Sequence, residues 1–398
     1  MSVCRAAFLL VVLCAVAAAW SEPKPLRDLS GELPDGAAWR MVVPEEWNGT
    51  LLLYSHGYAP ARQPPALAPH GLEPWLLQHG YALAASSYAR PGWAVAEAVP
   101  DQLATLQQFK IRFGAAQRTI AWGESMGGLI TVALAEDPTS SLDGALSACG
   151  SVAGTLDMMN MALDGAFTFR TLIGPDARSV PQAMHSPQGR ARLALAAALG
   201  GQPGELEQIA RTFAAGVFLP REDQEQRAGG AFSWNTGMDY RLLLQRSGRR
   251  PWVAAYYRKS GLSLARDLTR LNAASRVVAD PQAVAYMRAH YAPSGALRVP
   301  LLSYHSIGDG LTSPVLEGEY ARQVRQAGWE SNLRTVWVAA AGHCTFSAAE
   351  HLSAIRTLET RLKSGHWEVS PAQMNASMSA DLGPRRFIRY RPFPLPRG

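Results

Sequence analysis

Long apolar runs are scarce in this chain. One stands at the start, residues 6–18, and it falls short of the roughly 20 residues a membrane-spanning helix needs. No second one follows, so no integral membrane span is expected. Cysteine is scarce too, at Cys4, Cys14, Cys149 and Cys344, which excludes a disulfide-dense scaffold. Neither an H-E-x-x-H zinc signature nor a phosphate-binding loop is present, and no repeat array is visible, so neither metal nor organic cofactor is expected. The net charge is +6, but the arginines are scattered without a nucleic-acid motif and read as a solvated surface rather than a nucleic-acid interface.

The first run has the layout of an export signal. Arg5 is the early charge, the apolar stretch follows, and Ala17-Ala18-Ala19 ends it with an A-x-A cleavage pattern. A bulky Leu13 before Cys14 does not suit a lipoprotein signal. Residues 1–19 are therefore expected to be removed, leaving a secreted or periplasmic protein that starts near Trp20. Only Cys149 and Cys344 remain in it, and one disulfide is open to them.

Residues 38–43 and 50–55 are apolar and β-branched, with Asn48-Gly49 between them, a strong hairpin signal. They are expected as a pair of antiparallel strands. A third apolar run spans residues 81–86, after a short helical segment at residues 72–78. From Pro100, Leu103, Leu106, Phe109 and Phe113 recur at helical spacing up to Gly114. A short buried strand at residues 119–122 and a helix over Met126–Glu136 follow. Such alternation implies a mostly parallel sheet covered on both faces.

Between that strand and that helix stands AWGESMGGLI, residues 121–130, with Ser125 inside Gly123-x-Ser125-x-Gly127. A sharp strand-to-helix turn of this kind exposes the serine hydroxyl at the carboxyl edge of the sheet. The N–H of Met126 then lies at a helix N-terminus, where negative charge is favoured. A glycine-rich helix start without catalysis is the bland reading, and it loses weight if a base and an acid follow. His343 lies in Ala341-Gly-His-Cys344, between a strand-like run at residues 333–339 and a helix opened by the capping box Ser347-x-x-Glu350. Asp309 sits between two glycines after an apolar run at residues 299–305, with Ser313 and Pro314 marking the next helix start. His56 reads as structural and His305 as a satisfied core histidine. Ser125, Asp309 and His343 each follow a successive strand, in the order nucleophile, acid, base.

Through the His56-Gly57 pair, the Gly123–Gly127 elbow, the Gly308-Asp309 loop and the Gly342-His343 loop, residues 37–150 and 297–363 resemble the α/β-hydrolases. The resemblance implies an α/β-hydrolase fold, with helices on both faces of a mostly parallel central sheet and a helical cap inserted after strand 6. It also implies that Tyr58 supplies the second oxyanion N–H beside Met126, with Gly57 the weaker candidate. The organisation expected is a signal at 1–19, core at 20–150, cap at 151–296, core at 297–365 and a basic, extended, poorly ordered tail at 366–398. Within the cap, Met158, Met159, Met161, Phe167 and Phe169 read first as packing and second as a substrate pocket. The cysteine after His343 resembles the arrangement of tannases and fungal-type feruloyl esterases, in which that cysteine bridges to one just before the serine. Here Glu124 occupies that second place, so Cys344 is expected to pair with Cys149 instead. The function implied is a secreted serine esterase acting on small-molecule or polymeric esters, with an amidase or exopeptidase of the same fold, or a non-catalytic binding module, as alternatives.

Overall fold

The computed structural model describes residues 26–69, 71–214 and 221–397. The expected export signal lies outside them. Nine strands form one sheet: β1 Leu26–Glu32, β2 Ala38–Pro44, β3 Thr50–Ser55, β4 Ala82–Ser86, β5 Arg118–Glu124, β6 Gly144–Ala148, β7 Leu301–Gly308, β8 Leu333–Ala341 and β9 Phe387–Ile388, in the order β1-β2-β4-β3-β5-β6-β7-β8-β9. From β4 to β8 all neighbours are parallel, while β2 joins β4 and β9 joins β8 antiparallel. The central strands are buried throughout, which is why they read as continuous apolar runs. Alternate residues feed opposite faces. Leu51 and Leu53 join the core on the side of α2 (Val95–Phe113) and α3 (Met126–Glu136), and Leu52 and Tyr54 join the one beneath α1 (Glu73–Gln78) and the helix over Ala348–Ser364.

The expected hairpin between β2 and β3 does not form. β4 lies between them, with Trp39 opposite Ser86 and Leu51 beside Ala82. The Asn48-Gly49 turn serves other strands: the Asn48 N–H donates to the Gly80 carbonyl at 2.8 Å, and the Gly49 carbonyl accepts the Gln117 N–H at 3.0 Å. Strand β1 carries no sequence signal of its own, because its residues are exposed. Helix α2 begins at Val95, so that Pro100 falls inside it. Burial of Val95 and Ala98 outweighs the hydrogen bond that the proline forgoes.

Between β6 and β7 the described residues form helices α4–α12: Thr155–Leu172, Ser179–Met184, Pro187–Leu199, Leu206–Ala214, Arg221–Ala228, Tyr240–Arg246, Arg250–Ser260, Leu264–Ala273 and Pro281–Tyr291. Their apolar faces pack mainly on one another, as between Leu195, Leu199, Leu244 and Leu271. After β7 come α13 (Val315–Gln326), α14 (Ala348–Ser364) and α15 (Pro371–Ala376). Ser347 opens α14 with the full capping box. Ser313 does not cap α13, since its hydroxyl donates instead to the Gly201 carbonyl and docks the insertion on the loop after β7. The tail is not loose. Phe387 is buried, Arg386 pairs with the buried Glu350 at 2.9 Å, and Arg397 pairs with the buried Asp164 at 2.6 Å.

Candidate active site

Because β3, β5, β7 and β8 run in the same direction, the loops after them share one edge of the sheet. Ser125 stands at the junction of β5 and α3 with φ 58° and ψ −122°, a region costly for any residue with a Cβ. The neighbouring glycines are sterically required. A Cβ on Gly123 would lie 2.2 Å from the Gly127 carbonyl oxygen, and one on Gly127 would lie 1.9 Å from that of Ser55. The Ser125 N–H donates to the Ala148 carbonyl at 3.0 Å, which ties the turn to β6.

His343 reaches over from the loop after β8. Its Nε2 is 2.8 Å from the Ser125 Oγ, and its Nδ1 is 2.8 Å from Oδ2 of Asp309. Asp309 is fully buried, and its Oδ1 accepts the N–H groups of Leu311 and Thr312 at 2.9 and 3.1 Å. With an acceptor at Nδ1, the proton of neutral His343 belongs there, and Nε2 is left to accept the serine hydroxyl. The Thr312 Oγ, which nothing in the sequence marked, lies 2.8 Å from the Cys149 carbonyl, 3.1 Å from Asp309 Oδ2 and 3.2 Å from His343 Nδ1.

The segment after β3 passes directly against the serine: a Cβ on Gly57 would be 3.3 Å from the Ser125 Cβ. His56 stacks on Tyr88, and its Nδ1 meets the Gly57 carbonyl, so it stays outside the array. Met126 is buried at the first turn of α3. Tyr58, next in the chain after Gly57, is half-buried against the core. Cys149 and Cys344 form a disulfide, and both hold positive φ, 44° and 52°. It fastens the residue after His343 to the end of β6.

The fold is that of the α/β-hydrolases. The deciding observation is the strand order, with the Ser125 turn after β5 and the Asp309 and His343 loops after β7 and β8 at one edge. No protein-family model matches the chain. In sequence it is similar to an o-phthalyl amidase of Xanthobacter agilis, 26% identical over 88% of this chain and 90% of that protein. Among solved structures, an esterase of Pyrococcus furiosus aligns over 87% of this chain and 92% of its own with a TM-score of 0.44 and 14% identity. An acylaminoacyl peptidase of Pyrococcus horikoshii aligns over 81% of this chain and 38% of its own, with a TM-score of 0.41 and 12% identity.

A second network lies beneath the elbow. Trp122 Nε1 donates to the Tyr304 hydroxyl oxygen at 2.9 Å, and that hydroxyl donates to His351 Nδ1 at 2.8 Å. The His351 proton is therefore on Nε2, 3.6 Å from Glu124 Oε1, while the Tyr54 hydroxyl donates to Glu124 Oε2 at 3.1 Å. Burial pushes His351 down to about 3, so it is neutral, and pushes the Glu124 carboxyl up to about 7. Sequence order could mark Glu124 as the neighbour of Ser125, but not its partners, which come from β3, β7 and α14. Of the methionines and phenylalanines singled out in the insertion, Met158, Met159, Met161 and Phe169 are core residues. Met159, Phe167 and Phe169 also line a 450 Å³ apolar cavity whose walls include none of Ser125, Asp309 or His343.

Proposed function

We propose that this protein is a serine hydrolase that cleaves carboxylic esters through an acyl-enzyme. The observation that carries this reading is the Ser125 hydroxyl, held in the strained elbow 2.8 Å from a histidine that is itself 2.8 Å from a buried carboxylate. Ser125 Oγ attacks the ester carbon as His343 Nε2 takes its proton. Asp309 holds the ring in the required tautomer and stabilises its cation. The N–H groups of Met126 and Tyr58 receive the developing oxyanion, the first at a helix N-terminus and the second on the segment lying against Ser125. His343 then returns the proton to the leaving alcohol, and water repeats the cycle on the acyl group. The disulfide supports an oxidising compartment, in line with export. Helices α4–α12 serve in this reading as a cap over the site.

A second reading is an amidase working through the same residues, favoured by the similarity to the o-phthalyl amidase. Paired substrates separate the two: an ester and an anilide of the same acyl group, for benzoyl, phthalyl, short-chain and long-chain acyl groups. Ester turnover exceeding anilide turnover for every acyl group supports the first reading. A phthalyl anilide cleaved faster than its ester supports the second. In either case Ser125→Ala is expected to abolish labelling by a fluorophosphonate probe and to lower turnover by roughly 10³-fold or more, with an unchanged circular dichroism spectrum. Labelling that persists in the folded variant removes Ser125 as nucleophile.

A further inference from the structure

We infer that His305 is a buried imidazolium standing behind Asp309, and that it acts as a positioning residue that keeps the Asp309 carboxylate aimed at His343. Its effect on rate rests on the proposed serine hydrolase reading, but its charge does not.

In β7 the side chains of Ser303 and His305 share one face, and both meet Glu317 of α13. His305 and Asp309 are wholly buried and Glu317 almost so. His305 Nε2 lies 2.5 Å from the Thr312 carbonyl oxygen. A carbonyl only accepts, so Nε2 carries a proton. Nδ1 lies 3.0 Å from Glu317 Oε1, which also receives the Ser303 hydroxyl at 2.7 Å. An imidazole with an acceptor at each nitrogen holds two protons, and with them a positive charge. Burial pushes the ring toward neutrality, yet the hydrogen bond and charge of Glu317, followed by the charge of Asp309, outweigh it and shift its proton affinity upward.

The surroundings require a cation at this place. Two ionised carboxylates removed from water are costly unless they are paired. Among the described residues, the basic groups within 4 Å of Asp309 are His343, at 2.8 Å, and His305, at 3.7 Å, and the one so near Glu317 is His305. The ring also grips the loop mechanically, because Thr312, whose carbonyl it binds, is the residue whose N–H and hydroxyl hold Asp309.

The groups facing the ring are Asp309 from the following loop, Glu317 from α13 and, across Asp309, His343 from the loop after β8. From β8 the Trp337 ring stands 6.4 Å away. Beyond His343 lies Glu124, whose proton affinity that histidine's charge lowers against the larger effect of burial. A fixed cation behind Asp309 opposes protonation of His343.

Two measurements test this. In protein labelled with ¹⁵N-histidine, one ring is expected to show both nitrogens protonated, with exchange-protected N–H protons, up to pH 8. That signal should vanish in His305→Gln. A His305 ring with one bare nitrogen at pH 7 places the proton on Glu317 and overturns the charge. The rate of fluorophosphonate labelling against pH tests the role. His305→Gln, which keeps a donor but no charge, should move the acid limb upward by about half to one pH unit. An unmoved limb in folded His305→Gln overturns positioning. Wild-type protein that shows the doubly protonated ring but does not label at Ser125 would sink the hydrolase reading while leaving the imidazolium standing.

Discussion

A serine held at φ 58° and ψ −122° is under strain that the backbone around it must outweigh, and the two elbow glycines show how: carbonyls of Ser55 and Gly127 fill the space where a Cβ would go. At this scale Asp309 and Glu124 are the informative residues. Asp309→Asn is expected to lower ester turnover by about 10²–10⁴-fold, less than Ser125→Ala, because the amide no longer enforces the tautomer while the oxyanion donors survive. Steady-state rates of the two variants under one set of conditions check this, and unchanged turnover would assign the orienting role to another carboxylate. Glu124 makes a prediction about stability. Its folded-state proton affinity is raised to about 7 by burial, so between about pH 4.5 and 7 the native state binds a proton that the unfolded state has released. Stability contributed at this position therefore falls as pH rises through that window. Glu124→Gln, which keeps an acceptor for Tyr54, should match wild type at pH 4 and exceed it by about 3 kcal/mol at pH 8. Urea unfolding at pH 4, 6 and 8 reads the difference, and a constant offset across all three would contradict it.

At the scale of elements, the loop after β8 carries the most consequence. It is short, it begins at Gly342 with φ 95°, and beside its hydrogen bonds it has a covalent hold on the site, the bond from Cys344 to Cys149 across 195 residues of sequence. A loop that long corresponds to about 5 kcal/mol in the chain-entropy account of disulfides. The more specific effect is local. Cys149 belongs to the end of β6, where its carbonyl also meets the Thr312 hydroxyl, so the bridge ties the base to the strand that anchors the Ser125 N–H. Titration with a reductant is expected to lower turnover before the near-ultraviolet circular dichroism changes. Loss of both in step would mean that the bridge serves the whole fold and not the loop.

For the whole molecule, the tail and the insertion are one device. Arg397 forms two bonds to Asp164, at 2.6 and 2.9 Å, and a third to the Trp234 carbonyl at 2.7 Å, while the Tyr240 hydroxyl donates to the same carboxylate at 3.0 Å. Arg397 is thereby fastened to α4, 233 residues earlier. Arg397→Ala strands a buried carboxylate and is expected to cost about 3–5 kcal/mol. Arg397→Ala combined with Asp164→Asn should recover part of that loss, since no charge is then left unpaired. Denaturant unfolding of the single and double variants decides, and a single variant as stable as wild type would show that the tail does not clamp the insertion.

Local chemistry made some features legible from the order of residues alone. Gly-x-Ser-x-Gly between an apolar run and a helix can only be a tight turn, Ser347-x-x-Glu350 caps a helix through bonds three residues apart, and buried parallel strands must be apolar on both faces. These placed Ser125, His343 and Asp309 after successive strands. Other features depend on which strands become neighbours, and this is decided by long-range packing that local signals do not encode. The Asn48-Gly49 turn has hairpin chemistry, yet the crossover through α1 brings β4 between the two strands it joins. The tail has the composition of a loose segment, yet a buried carboxylate in α4 gives Arg397 a partner. His305 and Glu317 lie twelve residues apart on a strand and a helix, and neither residue type nor spacing says that they meet. Only the packing of α13 on β7 brings Glu317 against the ring, and only that contact favours a charged imidazole over the neutral one that burial by itself would select.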